Sequence, residues 1–217
     1  MYEIYETKER IIADNDAVAA LVRERMDGAG VFFVNVMASP GAGKTTLLKR
    51  TIESLPEYKI GVMEADVDSD VDAATLAATG AKVIQLHTGG LCHMDADMTL
   101  RGLTRFGTEG LDIVFLENVG NLVCPAEFDV GADLNVMLLS VPEGDDKPLK
   151  YPLMFTVSQA ALISKMDVAP VFDFDLDRFK ENIAPLNPEM TVIPLSAVTG
   201  EGFDAWLAYL KGKVSAR

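Results

Sequence analysis

A doubly wound α/β domain with a mainly parallel sheet is the fold class this sequence predicts, and three observations predict it. Apolar, β-branched segments alternate with helical segments along almost the whole chain. The segments at 31–37 and 134–141 are near-continuously apolar, as strands covered on both faces are. The length of 217 residues suits one domain with its own core and a short appendage.

Residues 8–26 carry Ile11, Ile12, Val18, Leu21, Val22 and Met26 at roughly helical spacing, ending near Gly28. This reads as an amphipathic N-terminal helix, so residues 1–29 form the appendage and 30–217 the main domain. The helix packs on its own domain or, alternatively, makes a subunit contact. The first strand is 31–37, and a helix over 44–55 stops before Pro56. A strand at 59–64 precedes a helix at 71–79 that ends at Gly80. A short strand at 82–86 leads to a helix at 95–106 interrupted by Gly102. The strand at 112–117 is followed by a loop with Gly and Pro, then by the strand at 134–141. Residues 143–152, with Gly144, Asp145, Asp146 and Pro148, read as a nucleotide-sensitive loop or a merely solvated one. Strands at 160–164 and 191–195 and helices at 175–183 and 204–211 complete the series. In such folds ligands bind at the C-terminal ends of the strands.

Composition narrows the function. Hydrophobic residues make up 49% and charged residues 24%, which excludes a disordered or fibrous chain. With 33 acidic and 19 basic residues the net charge is −14. That is not the footprint of a nucleic-acid-binding protein, and it disfavours anionic membrane surfaces. No apolar run approaches the ~18 residues a membrane span needs. Residues 1–10 are polar and lack an apolar signal core, so the expected location is cytoplasmic.

Directly after the first strand stands Ala38-Ser39-Pro40-Gly41-Ala42-Gly43-Lys44-Thr45. This is the phosphate loop G-x-x-x-x-G-K-[ST] with Ala38 in the first glycine position. Gly41 and Gly43 let backbone amides, with those of Ala42 and Thr46, turn around phosphate oxygens. Lys44 reaches the β- and γ-phosphates, and Thr45 offers its hydroxyl to Mg²⁺. The helix that follows points its positive end at the anion. Ala38 matters only if its position requires a positive φ. Two strand ends offer a carboxylate for the metal: Asp66 and Glu117. Glu117-Asn118-Val119-Gly120 resembles a D-x-x-G motif with Glu for Asp, in which the Gly120 amide meets the γ-phosphate. Residues 66–72 hold Asp66, Asp68, Asp70 and Asp72, a segment ordered by Mg²⁺ and nucleotide or an ordinary acidic loop with capping aspartates.

Ser164-Lys165-Met166-Asp167 resembles the N-K-x-D motif with which GTPases read guanine. The Asp167 carboxylate accepts from guanine N1 and the 2-amino group, donors that adenine lacks. Lys165 lays its stem over the base. Serine at 164 removes an amide that ties this loop to the phosphate loop. Ser196-Ala197 resembles the S-A-K loop that contacts guanine O6. Behind a phosphate loop the two motifs favour GTP and GDP over adenine nucleotides. No water-positioning glutamine and no arginine finger stand out, so slow intrinsic turnover is expected.

The 2 Cys and 2 His, His87, Cys92, His93 and Cys124, all fall within residues 87–124. On position alone they read as two buried thiols with incidental histidines, with a metal site as the alternative. Thiolate and imidazole donors suit both Ni²⁺ and Zn²⁺. Cys92-His93-Met94-Asp95-Ala96 after Thr88-Gly89-Gly90-Leu91, together with Glu117-Asn118-Val119-Gly120-Asn121-Leu122-Val123-Cys124-Pro125-Ala126, closely resembles the HypB family, GTPases that help insert nickel into [NiFe]-hydrogenase. The resemblance covers nearly the whole chain. It implies a P-loop GTPase domain, Cys92, His93 and Cys124 as nickel or zinc ligands, and a GTP-dependent homodimer with this site at its interface. It also implies a HypA-type nickel chaperone and the hydrogenase large subunit as partners. The Cys-rich N-terminal nickel motif of many relatives has no counterpart before Cys92, and there is no His-rich tail. His87 either assists the metal or is a strand-end histidine. Three ligands per chain are few, so ligands from two chains would complete the shell. Rival readings are a urease-type nickel GTPase, a GTP-regulated binding module with structural cysteines, a small-molecule P-loop kinase and a passive metal store.

Overall fold

The structure, a computed structural model, describes residues 7–67 and 70–217. Seven strands form one sheet: β1 (Phe32–Ala38), β2 (Ile60–Asp66), β3 (Lys82–His87), β4 (Ile113–Glu117), β5 (Leu134–Ser140), β6 (Ala160–Ser164) and β7 (Thr191–Pro194). The order is β3-β2-β4-β1-β5-β6-β7 and every pairing is parallel. The helices are α1 (Thr7–Ala29), α2 (Lys44–Ser54), α3 (Val71–Ala77), α4 (Ala96–Phe106), α5 (Cys124–Glu127), α6 (Lys147–Lys150), α7 (Pro152–Val157), α8 (Leu176–Ile183) and α9 (Phe203–Ser215). This is the doubly wound fold with β1 central, and the chain passes from β4 on one side of β1 to β5 on the other.

Strand alternation divides the core between the two faces. Phe32, Val34, Val36 and Ala38 of β1 face a cluster with Leu47 and Leu48 of α2 and Trp206 of α9. Phe33 faces Val22 and Met26 of α1 and Leu103 of α4. Met37 joins a third cluster with Phe155 of α7 and Phe179 of α8. Asn35, almost completely buried, belongs to none of these clusters. Helix α1 is longer than the spacing of its apolar residues suggests. It buries Val22 and Met26 while Leu21 is exposed.

Three local expectations need correction. Gly102 does not interrupt its helix, which runs unbroken over Ala96–Phe106. A Cβ there would sit 3.0 Å from Leu86 Cδ1, so the glycine brings α4 close to β3. Residues 143–152 are not a solvated loop, because α6 and α7 form there, each with a proline in its first turn. Asp145 is buried and accepts from Arg178 Nε at 3.0 Å and Nη2 at 2.6 Å, and the guanidinium lowers its pKa. The loop after β4 also contains a helix, the single turn α5. Of the acidic stretch at 66–72, Asp68 lies outside the described residues. No helix among the described residues is long and apolar enough to cross a membrane.

Candidate nucleotide and cation sites

The phosphate loop leaves the C-terminal end of β1, where the chain turns into α2. Gly41 and Gly43 have φ of 74° and 101°, values that a β-carbon resists. Ala38 lies inside β1, and its φ is not positive, so alanine is no strain in the first position of the motif. Asn121 N donates to Ala38 O at 2.8 Å. A Cβ on Gly120 would meet Pro40 N at 3.0 Å, so a side chain there would crowd the phosphate loop.

Ala42, Gly43, Thr46, Lys165, Asp167, Ser196 and Ala197 line one pocket beside this loop. The expectation that Ser164 loosens the base loop is overturned. Its hydroxyl donates to Ala42 O at 2.7 Å and performs the tie itself. Lys165 Nζ also donates to Gly41 O at 2.7 Å, and its φ of 61° is the one positive value outside glycine among the described residues. The Ser196 hydroxyl accepts from Val198 N and Thr199 N, which shapes the last loop. Arg50, which carries no motif signal, donates to Ala197 O at 2.8 Å and props that loop from α2.

Thr45 Oγ1 donates to Glu117 Oε1 at 2.9 Å. The β2–β4 register sets Glu64 beside Glu117, and carboxylate oxygens of Glu64, Asp72 and Glu117 lie within 4.8 Å of one another. Glu64 and Glu117 are both 2% exposed, and one oxygen of each has no hydrogen-bond partner. Burial above all holds both carboxyls at about 7, with their mutual repulsion adding to Glu64. Buried, unpaired and crowded oxygens next to a threonine hydroxyl fit a divalent cation of the Mg²⁺ type. Asp66, the strand-end acid, pairs in register with His87 and stands outside this trio. The sequence reading missed Glu64; its signal was a charge inside the apolar run of β2, two residues before the strand-end Asp66.

A pH dependence follows. Each carboxyl binds its proton more tightly folded than unfolded, where the value is 4.5. This contribution is therefore present below that pH and lost as pH rises through about 7. In cation-free buffer Glu64→Gln is expected to raise the melting temperature at pH 8 by on the order of 5 °C and change it little at pH 5. An equal shift at both pH values contradicts a carboxyl raised by burial and by its neighbour Glu117.

Cys92 Sγ and Cys124 Sγ lie 2.7 Å apart as free thiols, and Cys92 Sγ is 3.9 Å from His93 Nδ1. The three ligand atoms all lie within 4.8 Å of one another. His93 stacks on Phe128 with centroids 4.2 Å apart, and burial lowers its pKa, which favours the neutral, ligating form. The hydrogen bond with Cys92, then burial, pushes the Cys124 thiol up. Exposed Leu91 and Val123 flank the cluster. His87 is exposed at the end of β3 and is not among these ligands.

A family model described as CobW/HypB/UreG, nucleotide-binding domain, matches residues 32–194. The hydrogenase maturation factor HypB of Azotobacter chroococcum mcd 1 is 44% identical over 215 residues, covering 98% of this chain and 70% of that protein. This chain belongs to the HypB family. The solved HypB from Helicobacter pylori, in complex with nickel, is 39% identical with a TM-score of 0.89, covering 94% of this chain and 96% of that one. HypB from Archaeoglobus fulgidus is 37% identical with a TM-score of 0.86, covering 93% and 99%. The matched residues include the phosphate loop, Cys92, His93, Glu117, Cys124, Ser164, Lys165 and Asp167, while Ser196 and Ala197 lie just beyond them.

Proposed function

We propose that this chain is a GTP-hydrolysing metallochaperone that binds nickel or zinc and delivers nickel for [NiFe]-hydrogenase maturation in the cytoplasm. One observation carries the reading. The segment that leaves Glu117, hydrogen-bonded to Thr45 of the phosphate loop, reaches Cys124 of the thiol-imidazole cluster seven residues later. A change at the phosphate end is thereby felt at the cation ligands.

The geometry supports the following roles. Lys44 and the loop amides bind the β- and γ-phosphates and stabilise charge on the transferring phosphoryl group. Thr45 and Glu117, with Glu64, Asp72 or Asp66, would hold a Mg²⁺ ion, which would supply charge neutralisation at the phosphates. Asp167, Lys165, Ser196 and Ala197 choose guanine. Cys92, His93 and Cys124 hold the cargo ion, with the remaining ligands from a second copy in the GTP-bound homodimer. A HypA-type chaperone and the hydrogenase large subunit are the expected partners in transfer.

Asp167→Asn tests the nucleotide half. Guanine presents two donors to the carboxylate, whereas xanthine presents a C2 carbonyl that the asparagine amide matches. GTP affinity is expected to fall by roughly 10²-fold or more and XTP affinity to rise. A variant that still prefers GTP removes Asp167 from base recognition.

A further inference from the structure

The cation cluster draws its ligands from two separate loops, and the structure ties both to one short segment. Asn118 is fully buried, and both its side-chain oxygen and its side-chain nitrogen are hydrogen-bonded. Its Oδ1 accepts from Met94 N at 3.2 Å and Val119 N at 2.9 Å, and its Nδ2 donates to Asn35 Oδ1 at 3.1 Å. Met94 follows His93 directly, so this contact grips the Cys92–His93 loop. Asn121 grips the other loop: its Oδ1 accepts from Val123 N at 2.7 Å and Cys124 N at 3.4 Å. Both asparagines hang on β1, since Asn118 N donates to Val36 O at 3.0 Å and Asn121 N to Ala38 O at 2.8 Å. Asn35 Nδ2 carries the row on to Asn135 Oδ1 at 3.0 Å.

We propose that Asn118 and Asn121 are positioning residues for the cation site, Asn118 setting the Cys92–His93 half and Asn121 the Cys124 half. The inference rests on the reading of that cluster as the cargo site. A buried row of hydrogen-bonded amides is costly to break, so the Met94 amide keeps a fixed place relative to β1. The Asn121 side chain accepts from the two amides that lead into α5, and Cys124 is the first residue of that turn. The spacing of the ligand halves is thus the spacing of two side chains on one segment, anchored where β1 becomes the phosphate loop. The chain's own amide groups do here what outer-shell partners do for metal ligands elsewhere. A segment that shifts against β1 shifts both halves together.

The test compares wild type, Asn121→Ala, Asn121→Asp and Asn118→Ala by Co²⁺ absorption and Ni²⁺ titration of the full chain. Asn121→Asp keeps the acceptor for the Val123 and Cys124 amides, and alanine does not. The alanine variants are expected to lose about tenfold or more in Ni²⁺ affinity and to change the Co²⁺ d–d pattern. Asn121→Asp is expected to retain the wild-type spectrum. Thermal melting reports whether buried Asn118→Ala folds, and if it does not, the Asn121 pair decides. An Asn121→Ala protein with the wild-type spectrum and affinity overturns the proposal. Wild type that binds neither ion overturns the cargo-site reading and this inference with it.

Discussion

Lys44→Ala is expected to reduce GTP hydrolysis by at least ~10²-fold, the cost of removing one pre-aligned group that meets developing charge. The lysine stands at the first position of α2, straight after Gly43 with its φ of 101°. Backbone geometry alone aims the amides, so the loop survives the substitution while its point charge does not. Lys44 also lowers the pKa of buried Glu117, so alanine makes that carboxyl harder to ionise. The loss therefore exceeds that of an isolated cation. Phosphate release under single-turnover conditions checks it, and a variant within tenfold of wild type removes Lys44 from the chemistry.

The second large effect is at the thiols. Cys92→Ala and Cys124→Ala each leave two of the three clustered ligand atoms. Each is expected to weaken Ni²⁺ binding by ~10²-fold or more, beyond the 10–100-fold typical of outer-shell changes. The sulfurs are 2.7 Å apart, so one ion near either is near both. Competition against a chelator of known strength measures the loss. Cysteines that merely fill space would be replaced with no change in Ni²⁺ affinity.

Much of the fold was legible because buried parallel strands are written as apolar runs. The strand at 160–164 needs no adjustment, and α2 begins at Lys44 as the phosphate loop requires. The helices within 143–157 were hidden for a physical reason. They are of 4 and 6 residues, too short to show a period, and their prolines and aspartates read as turn formers. Gly102 was misread because a helix-weakening residue was weighed without the strand it lies against. In the site, Cys92, His93 and Cys124 are brought together as the adjacent pair and the second motif suggested. Glu64 is not legible in the sequence because the strand-end position belongs to Asp66, while the β2–β4 register that sets Glu64 against Glu117 is a tertiary fact. Ser164 shows the same limit. A hydroxyl shorter than an amide still reaches Ala42 O, a distance only the folded chain reveals.

The central claim is that nucleotide state at the phosphate loop sets cation binding at Cys92, His93 and Cys124. It is tested most directly by Ni²⁺ titration of the wild-type protein and Cys92→Ala, each with Mg²⁺ and a non-hydrolysable GTP analogue or with Mg²⁺ and GDP, with monomer and dimer resolved. The account predicts a wild-type affinity or stoichiometry that differs between the two nucleotides and is lost in Cys92→Ala. Ni²⁺ binding that is identical in both nucleotide states, or untouched by the substitution, contradicts it.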